Sequence, residues 1–149
     1  MGDGMAFIDG EYVAIEDAKI SVFDSGFSKS DVVYDVTSTS NGRFFRLDDH
    51  VARFLRSCAG VGMACPYSAE EIKHILAECV ERGGVGEKSY VNMMLTRGTN
   101  KGFIRGFVPD LRDTNVNFIA YAIPYVWIVP LEVQQKGIDI IIKQPIGCA

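Results

Sequence analysis

The sequence predicts an α+β fold, a mainly antiparallel sheet with two helices on one side, followed by a connector and the first strand of a second domain. Three observations carry this expectation. Asp9-Gly10 and Asn41-Gly42 each stand between short apolar or β-branched runs, the signature of two-residue hairpins whose turns need positive φ. Two neighbouring segments, Asp48 to Gly60 and Ser68 to Gly83, carry cap residues and a helical apolar period. The second half then returns to strand-like runs.

The first hairpin is Phe7 to Val13 around Asp9-Gly10. Ala18 to Phe23 reads as another strand, with Ile20 and Val22 on one face and Ser21 and Phe23 on the other, ended by Asp24-Ser25-Gly26. Val32 to Thr39 is rich in β-branched residues, and Asn41-Gly42 turns it back into Arg43-Phe44-Phe45-Arg46. One helix runs from an Asp48 cap to about Gly60. The next begins after Pro66-Tyr67-Ser68, where Ser68 and Glu71 fit a capping box, and ends near Gly83-Gly84. His74, inside that helix, reads as structural.

Three further strands are expected over Ser89–Thr96, Asn115–Ile123 and Gly137–Lys143. The segment from Arg97 to Thr114, with three glycines and Pro109, is long enough to be functional or disordered. The division expected is a lead or expression scar at 1–5, a small domain at 6–123, a connector at 124–130 and the start of a larger domain at 131–149. Ile138, Ile140, Ile141 and Ile142 are nearly continuous and call for cover on both faces. The chain is therefore expected to be the front part of a longer protein, or to have that strand covered by another chain.

Composition removes several function classes. The 149 residues are 48% hydrophobic and 23% charged, as in an ordinary globular domain, and the net charge of -4 without a basic run argues against nucleic acid as a partner. No apolar stretch is long enough for a membrane helix, and MGDGMAFIDG lacks the basic and apolar regions of a signal peptide, so no membrane partner and a cytoplasmic location are expected. Cys58, Cys65, Cys79 and Cys148 form no CxxC pair and no metal-ligand spacing with His50 or His74; they read as reduced apolar residues, and no metal is expected.

The candidate site begins in the helix RLDDHVARFLRS, Arg46 to Ser57. At about 100° per residue, Val51, Phe54, Leu55 and Cys58 form the buried arc. His50 and Ser57 flank it on one side. Arg53 lies further round on their side, and Arg56 about equally far from the arc on the other. Spacing leaves two readings open. Arg53 pairs with Asp49 or another carboxylate while His50 bonds at the core edge, or its planar fork grips an anion such as phosphate.

The run SVFDSGFSKSDVVYDVTSTSNGRFFRLDDHVARF resembles the amino-terminal domain of the fold-type IV pyridoxal-phosphate enzymes. These include branched-chain aminotransferases, D-amino-acid transaminases, (R)-selective amine transaminases and aminodeoxychorismate lyases. The likeness extends through YVNMMLTRG to the connector IPYVWIVP, and it is strongest toward the (R)-amine transaminases. It implies pyridoxal 5'-phosphate as cofactor, an amino donor and an oxo acceptor as small-molecule partners, and a homodimer. In the H-x-x-R step, His50-Val51-Ala52-Arg53, the resemblance makes Arg53 the phosphate grip and His50 its support. It places Tyr34, Val36, Tyr90 and Asn92 in the substrate pocket and Arg105 on a substrate carboxylate.

Two positions depart from the pattern. Asn92 stands where the amine-transaminase branch commonly has an acidic residue, and Lys29 where close relatives have a histidine before Ser30-Asp31. Both bear on the substrate. The lysine that carries the cofactor covalently lies, in this family, beyond the last residue of the chain. Lys143, in IIIKQPIG, does not match that segment and reads as a strand-end residue. The fragment alone is thus expected to be inactive, its parent a transaminase. A lyase of the aminodeoxychorismate type and a non-catalytic module that kept the scaffold are the alternatives.

Overall fold

The computed structural model describes residues 3–100 and 114–141. Strands β1 (Met5–Ile8), β2 (Glu11–Ala14), β3 (Val32–Ser40), β4 (Arg43–Phe44), β5 (Lys88–Asn100) and β6 (Thr114–Pro124) form one sheet in the order β2-β1-β6-β5-β3-β4, with every pairing antiparallel. The helices are α1 (Ser25–Lys29), α2 (Leu47–Gly60), α3 (Ala69–Gly83) and α4 (Leu131–Gln134). The small α+β domain expected from the sequence is the one observed. None of the helices among the described residues is long and apolar enough to cross a membrane.

The side-chain alternation of the long central strands divides the sheet into two faces. Val91, Met93 and Leu95 of β5 point to α2 and α3 and are fully buried, together with Phe54 of α2 and Ile72 and Leu76 of α3. Burying a side chain of Leu or Phe size contributes about 1.5–3 kcal/mol, so this layer drives helix docking. Three cysteines also lie in or beside it. Burial pushes the thiols of Cys58 and Cys79 up to about 11 and about 12, leaving them protonated and inert as nucleophiles.

Both hairpin turns form as their dipeptides require, with Asp9 and Gly10 at φ 53° and 84° and Asn41 and Gly42 at 51° and 71°. The Ser68–Glu71 capping box is present in both directions, and Gly84 closes α3 in the left-handed conformation. At α2 the cap differs. The helix begins at Leu47 with Arg46, at φ 47°, in the cap position, and Asp48 lies inside the first turn, where its negative charge suits the helix N-terminus. Asp48 instead accepts from Lys73 at 2.8 Å, tying α2 to α3.

Two predicted strands are absent from the described residues. Ala18 to Phe23 follows a short 3-10 turn and is irregular, because Ser21 takes the local backbone donors: its Oγ accepts from Phe23 N at 3.1 Å and its carbonyl from Asp24 N at 2.9 Å. Residues 137–141 also belong to no strand and pair with none of the described strands; Ile140 and Ile141 are 79% and 91% exposed. The rest of that predicted strand, with Lys143, lies outside the described residues, as do Arg105 and Cys148. Met5, set aside with the lead, pairs with Ala14 and Ala122 in β1.

Strands β5 and β6 run past the predicted ends, and their register shifts between Thr96 and Thr99. Arg97 is buried there and clamps Asp31 through Nε at 2.6 Å while donating to the Val61 carbonyl at 3.0 Å. Gly98 sits in the bulge at φ 73°, so close to β6 that a Cβ would overlap the Asn115 carbonyl oxygen. Gly42 shares the positive φ but faces open space. Gly98→Ala is therefore expected to lower stability by about 3 kcal/mol, clash added to strain, and Gly42→Ala by about 1 kcal/mol. Urea unfolding of the two variants side by side measures the difference.

Candidate active site

Asp35 is the residue around which the site is built. It lies on the helix-facing side of β3, its side chain 3% exposed, in a run of otherwise uncharged residues. A buried carboxylate needs partners, and α2 supplies two one turn apart. Arg53 grips it with both prongs, Nε to Oδ2 at 2.6 Å and Nη2 to Oδ1 at 2.7 Å, and His50 Nδ1 meets Oδ1 at 2.8 Å. Because a carboxylate only accepts, His50 carries its hydrogen on Nδ1 and donates to Asp35. The 3.2 Å approach of Arg53 Nη2 to Nδ1 is then a packing contact.

Of the two readings open for Arg53, pairing with a carboxylate is what the geometry shows, and the partner is Asp35; Asp49 is taken by Arg46 at 2.6 Å. Pairing does not consume the guanidinium. Its side chain is 60% exposed, and among the described residues Nη1 has no hydrogen-bond partner. Arg53 borders a cleft of about 460 Å³ with Arg46, Arg56, Asp49, His50, Ala52 and Phe45. Arg56 thus shares the cleft with Arg53. The helical wheel set them on opposite sides of the buried arc, yet three residues leave them only about 60° apart around the outer face.

The second face of the sheet forms the other half. Val36, Asn92 and Tyr121 are directly opposed across β3, β5 and β6, as are Ser38, Tyr90 and Ile123 one step along. A mainly apolar cavity of about 520 Å³ opens over them, closed on one side by Phe45 and His50 and on another by Tyr125, Val126 and Ile128. Tyr90 and Tyr121 stack with ring centres 6.2 Å apart. Burial pushes the Tyr121 hydroxyl up, and Tyr90 beside it adds to the effect.

The structure brings some predicted residues together and not others. His50, Val36 and Tyr90 line the cavity. Asn92 is buried among its lining residues; its Nδ2 reaches Tyr90 Oη at 3.5 Å, and its Oδ1 has no hydrogen-bond partner among the described residues. Tyr34 shares the face but is 66% exposed outside the lining. Lys29, exposed in the last turn of α1, also lies outside it. Sequence reasoning missed Asp35, Tyr121 and Tyr125. Asp35 had a readable signal, a charge placed by alternation on the buried face of a strand.

Residues 32–144 match the family model for amino-transferase class IV. The chain belongs to the class IV aminotransferases. It is 33% identical over 92 residues to D-alanine aminotransferase of Staphylococcus aureus, a match covering 62% of this chain and 32% of that enzyme. It superposes on branched-chain aminotransferase from Thermoproteus uzoniensis, solved with norvaline, at a TM-score of 0.70 and 28% identity, over 82% of this chain and 41% of that one. The branched-chain amino acid aminotransferase of Escherichia coli shares the fold at a TM-score of 0.76 and 18% identity, covering 89% and 43%. This aminotransferase chain thus spans less than half the length of each relative.

In the class IV aminotransferase chain, burial pushes the Asp35 carboxyl up, but the hydrogen bonds and charges of Arg53 and His50 outweigh it and hold it below the usual carboxylate value. A depressed folded-state value means that the ionised form is bound more tightly by the fold. The contribution to stability is full above the unfolded value, about pH 4, and is lost as pH falls through the folded one. Asp35→Asn is expected to cost about 2 kcal/mol at pH 7, the lower part of the range for charged hydrogen bonds because solvent screens Arg53. Urea unfolding between pH 7 and pH 3 checks it: the difference between wild type and variant shrinks toward the acid end.

Proposed function

We propose that this chain is the amino-terminal part of a pyridoxal-phosphate-dependent transaminase, carrying the phosphate-binding side of the cofactor site and one wall of the substrate pocket. The observation that carries the reading is the junction at His50 and Phe45, which border both the arginine cleft and the apolar cavity. A ligand with a dianionic end and a flat ring suits two such spaces that share a border. The donor set agrees: a guanidinium held by Asp35, with two more arginines on the rim, suits a phosphate. When bound, pyridoxal 5'-phosphate supplies the electron sink through which an amino group is exchanged for an oxo group.

The chain's own residues bind and orient in this reading. Arg53 grips the phosphate while Asp35 keeps its fork fixed, so little side-chain freedom is lost on binding. His50, with Nδ1 committed to Asp35, leaves Nε2 as its remaining polar atom at the junction. Val36, Tyr90 and Tyr121 shape the space for the amino donor and oxo acceptor, and Asn92, buried among them, is assigned to the pocket by resemblance. The names of the relatives, D-alanine and branched-chain aminotransferases, support amino acids as the substrate class. Tyr34, Lys29 and Arg105 remain assigned to the substrate side by resemblance.

The same reading includes a homodimer, supported by exposed apolar side chains at Val22, Phe23 and Phe27 beside α1. It also includes a catalytic lysine outside these 149 residues, so that the chain alone is inactive and its full-length parent transaminates.

The experiment compares Arg53→Ala with Arg56→Ala in the full-length parent. Arg56 has no partner to hold it among the described residues and must be ordered by the ligand itself. Arg53→Ala is expected to weaken cofactor retention at least about tenfold more than Arg56→Ala, read from bound-cofactor absorbance after dialysis. Equal retention in the two variants removes Arg53 from the role.

A further inference from the structure

Lys88 opens β5 on the face that carries Tyr90 and Asn92, at the end of the strand where the connector leaves β6. Tyr125 lies across from it and donates its backbone N–H to the Lys88 carbonyl at 3.2 Å. The Lys88 ammonium stands 4.7 Å from the centre of the Tyr125 ring and 4.2 Å from that of Trp127, and the two rings meet edge to face at 4.9 Å. Among the described residues no carboxylate pairs with this ammonium. Its partners are the two aromatic faces.

The connector supplies Tyr125, Val126 and Ile128 to the wall of the 520 Å³ cavity. Burial does not hold that segment, since Val126 is 61% and Ile128 95% exposed. We infer that Lys88 is a positioning residue: clasped between Tyr125 and Trp127, it pins the connector against the end of β5 and so fixes the movable wall of the substrate pocket. Its effect is on the pocket's width and hence on discrimination between small and bulky amino donors. This inference rests on the cavity being the substrate pocket of the proposed transaminase.

Lys88 is exposed, so replacing it leaves the core intact. Lys88→Met keeps the length and removes the charge; Lys88→Arg keeps the cation. In the full-length parent, chymotrypsin is expected to cut after Tyr125 or Trp127 about fivefold faster in Lys88→Met than in wild type, with Lys88→Arg close to wild type. Equal cleavage rates in all three overturn the clasp. With alanine and leucine as donors, each in both enantiomers, Lys88→Met is expected to change the KM ratio of leucine to alanine about threefold while kcat stays within twofold, and Lys88→Arg to restore it. Faster cleavage with an unchanged KM ratio overturns the connector's role as a pocket wall. Absence of transamination in the wild-type parent sinks the function proposed above, and the cleavage rates then decide for or against the clasp by themselves.

Discussion

The structure turns on a single carboxylate that faces the wrong way for a charge. Asp35 projects from β3 into the layer between sheet and helices, where an unpaired anion is among the costliest groups a fold can bury. Its two partners stand three residues apart on α2, so both reach it only if that helix lies over β3 at one rotation and one height. Apolar contacts through Val51, Phe54 and Cys58 tolerate a range of slides; a two-pronged hydrogen bond does not. The ion pair therefore acts less as a source of stability than as a register pin, and everything α2 displays on its outer face inherits its position.

Two spaces of opposite character border on the pinned His50. On the solvent side of α2, the arginines collect along a cleft in which Asp49, the one carboxylate lining it among the described residues, already serves Arg46. On the far side of the sheet, β3, β5 and β6 are in direct register, so that Val36, Asn92 and Tyr121 line up in one row and Ser38, Tyr90 and Ile123 in the next. Strand alternation sends the intervening residues to the core, and the same β5 thus builds the hydrophobic layer with its odd positions and the pocket with its even ones. The clamp of Arg97 on Asp31 and the bulge at Gly98 hold the other end of that strand.

What could be read in advance follows how local each feature is. The two glycine turns, the Ser68–Glu71 box and the apolar arc of α2 are decided within a few residues, and each formed. Ala18–Phe23 and residues 137–141 have acceptable strand composition, but a strand exists only with a neighbour, and in the first case Ser21 offered the backbone a nearer partner. The site was legible as a short run of residues, not as a geometry. A helical wheel gives the angle of Arg53 and Arg56 from the buried arc and nothing about the neighbouring elements, so it separated two arginines that border one cleft. It also left the partner of Arg53 open between Asp49 and a carboxylate elsewhere in the chain, since a contact spanning 18 residues is set by the packing of α2 on β3.

The junction at His50 shows how one constraint produces a site with direction. Asp35 accepts and never donates, which fixes a hydrogen on His50 Nδ1 and leaves Nε2 as the ring's one uncommitted polar atom among the described residues. Arg53, by contrast, gives two of its donors to the same carboxylate and keeps Nη1 free among the described residues. The cleft is thus rich in donors, while the boundary with the apolar cavity carries one imidazole ring beside aromatic and aliphatic side chains. In the proposed reading a ligand bridging the two spaces is sorted end for end by that contrast, with its anion among the arginines and its ring over Tyr90 and Tyr121. Reversed, the same ligand would press its anion against a mainly apolar wall and leave the arginines unanswered.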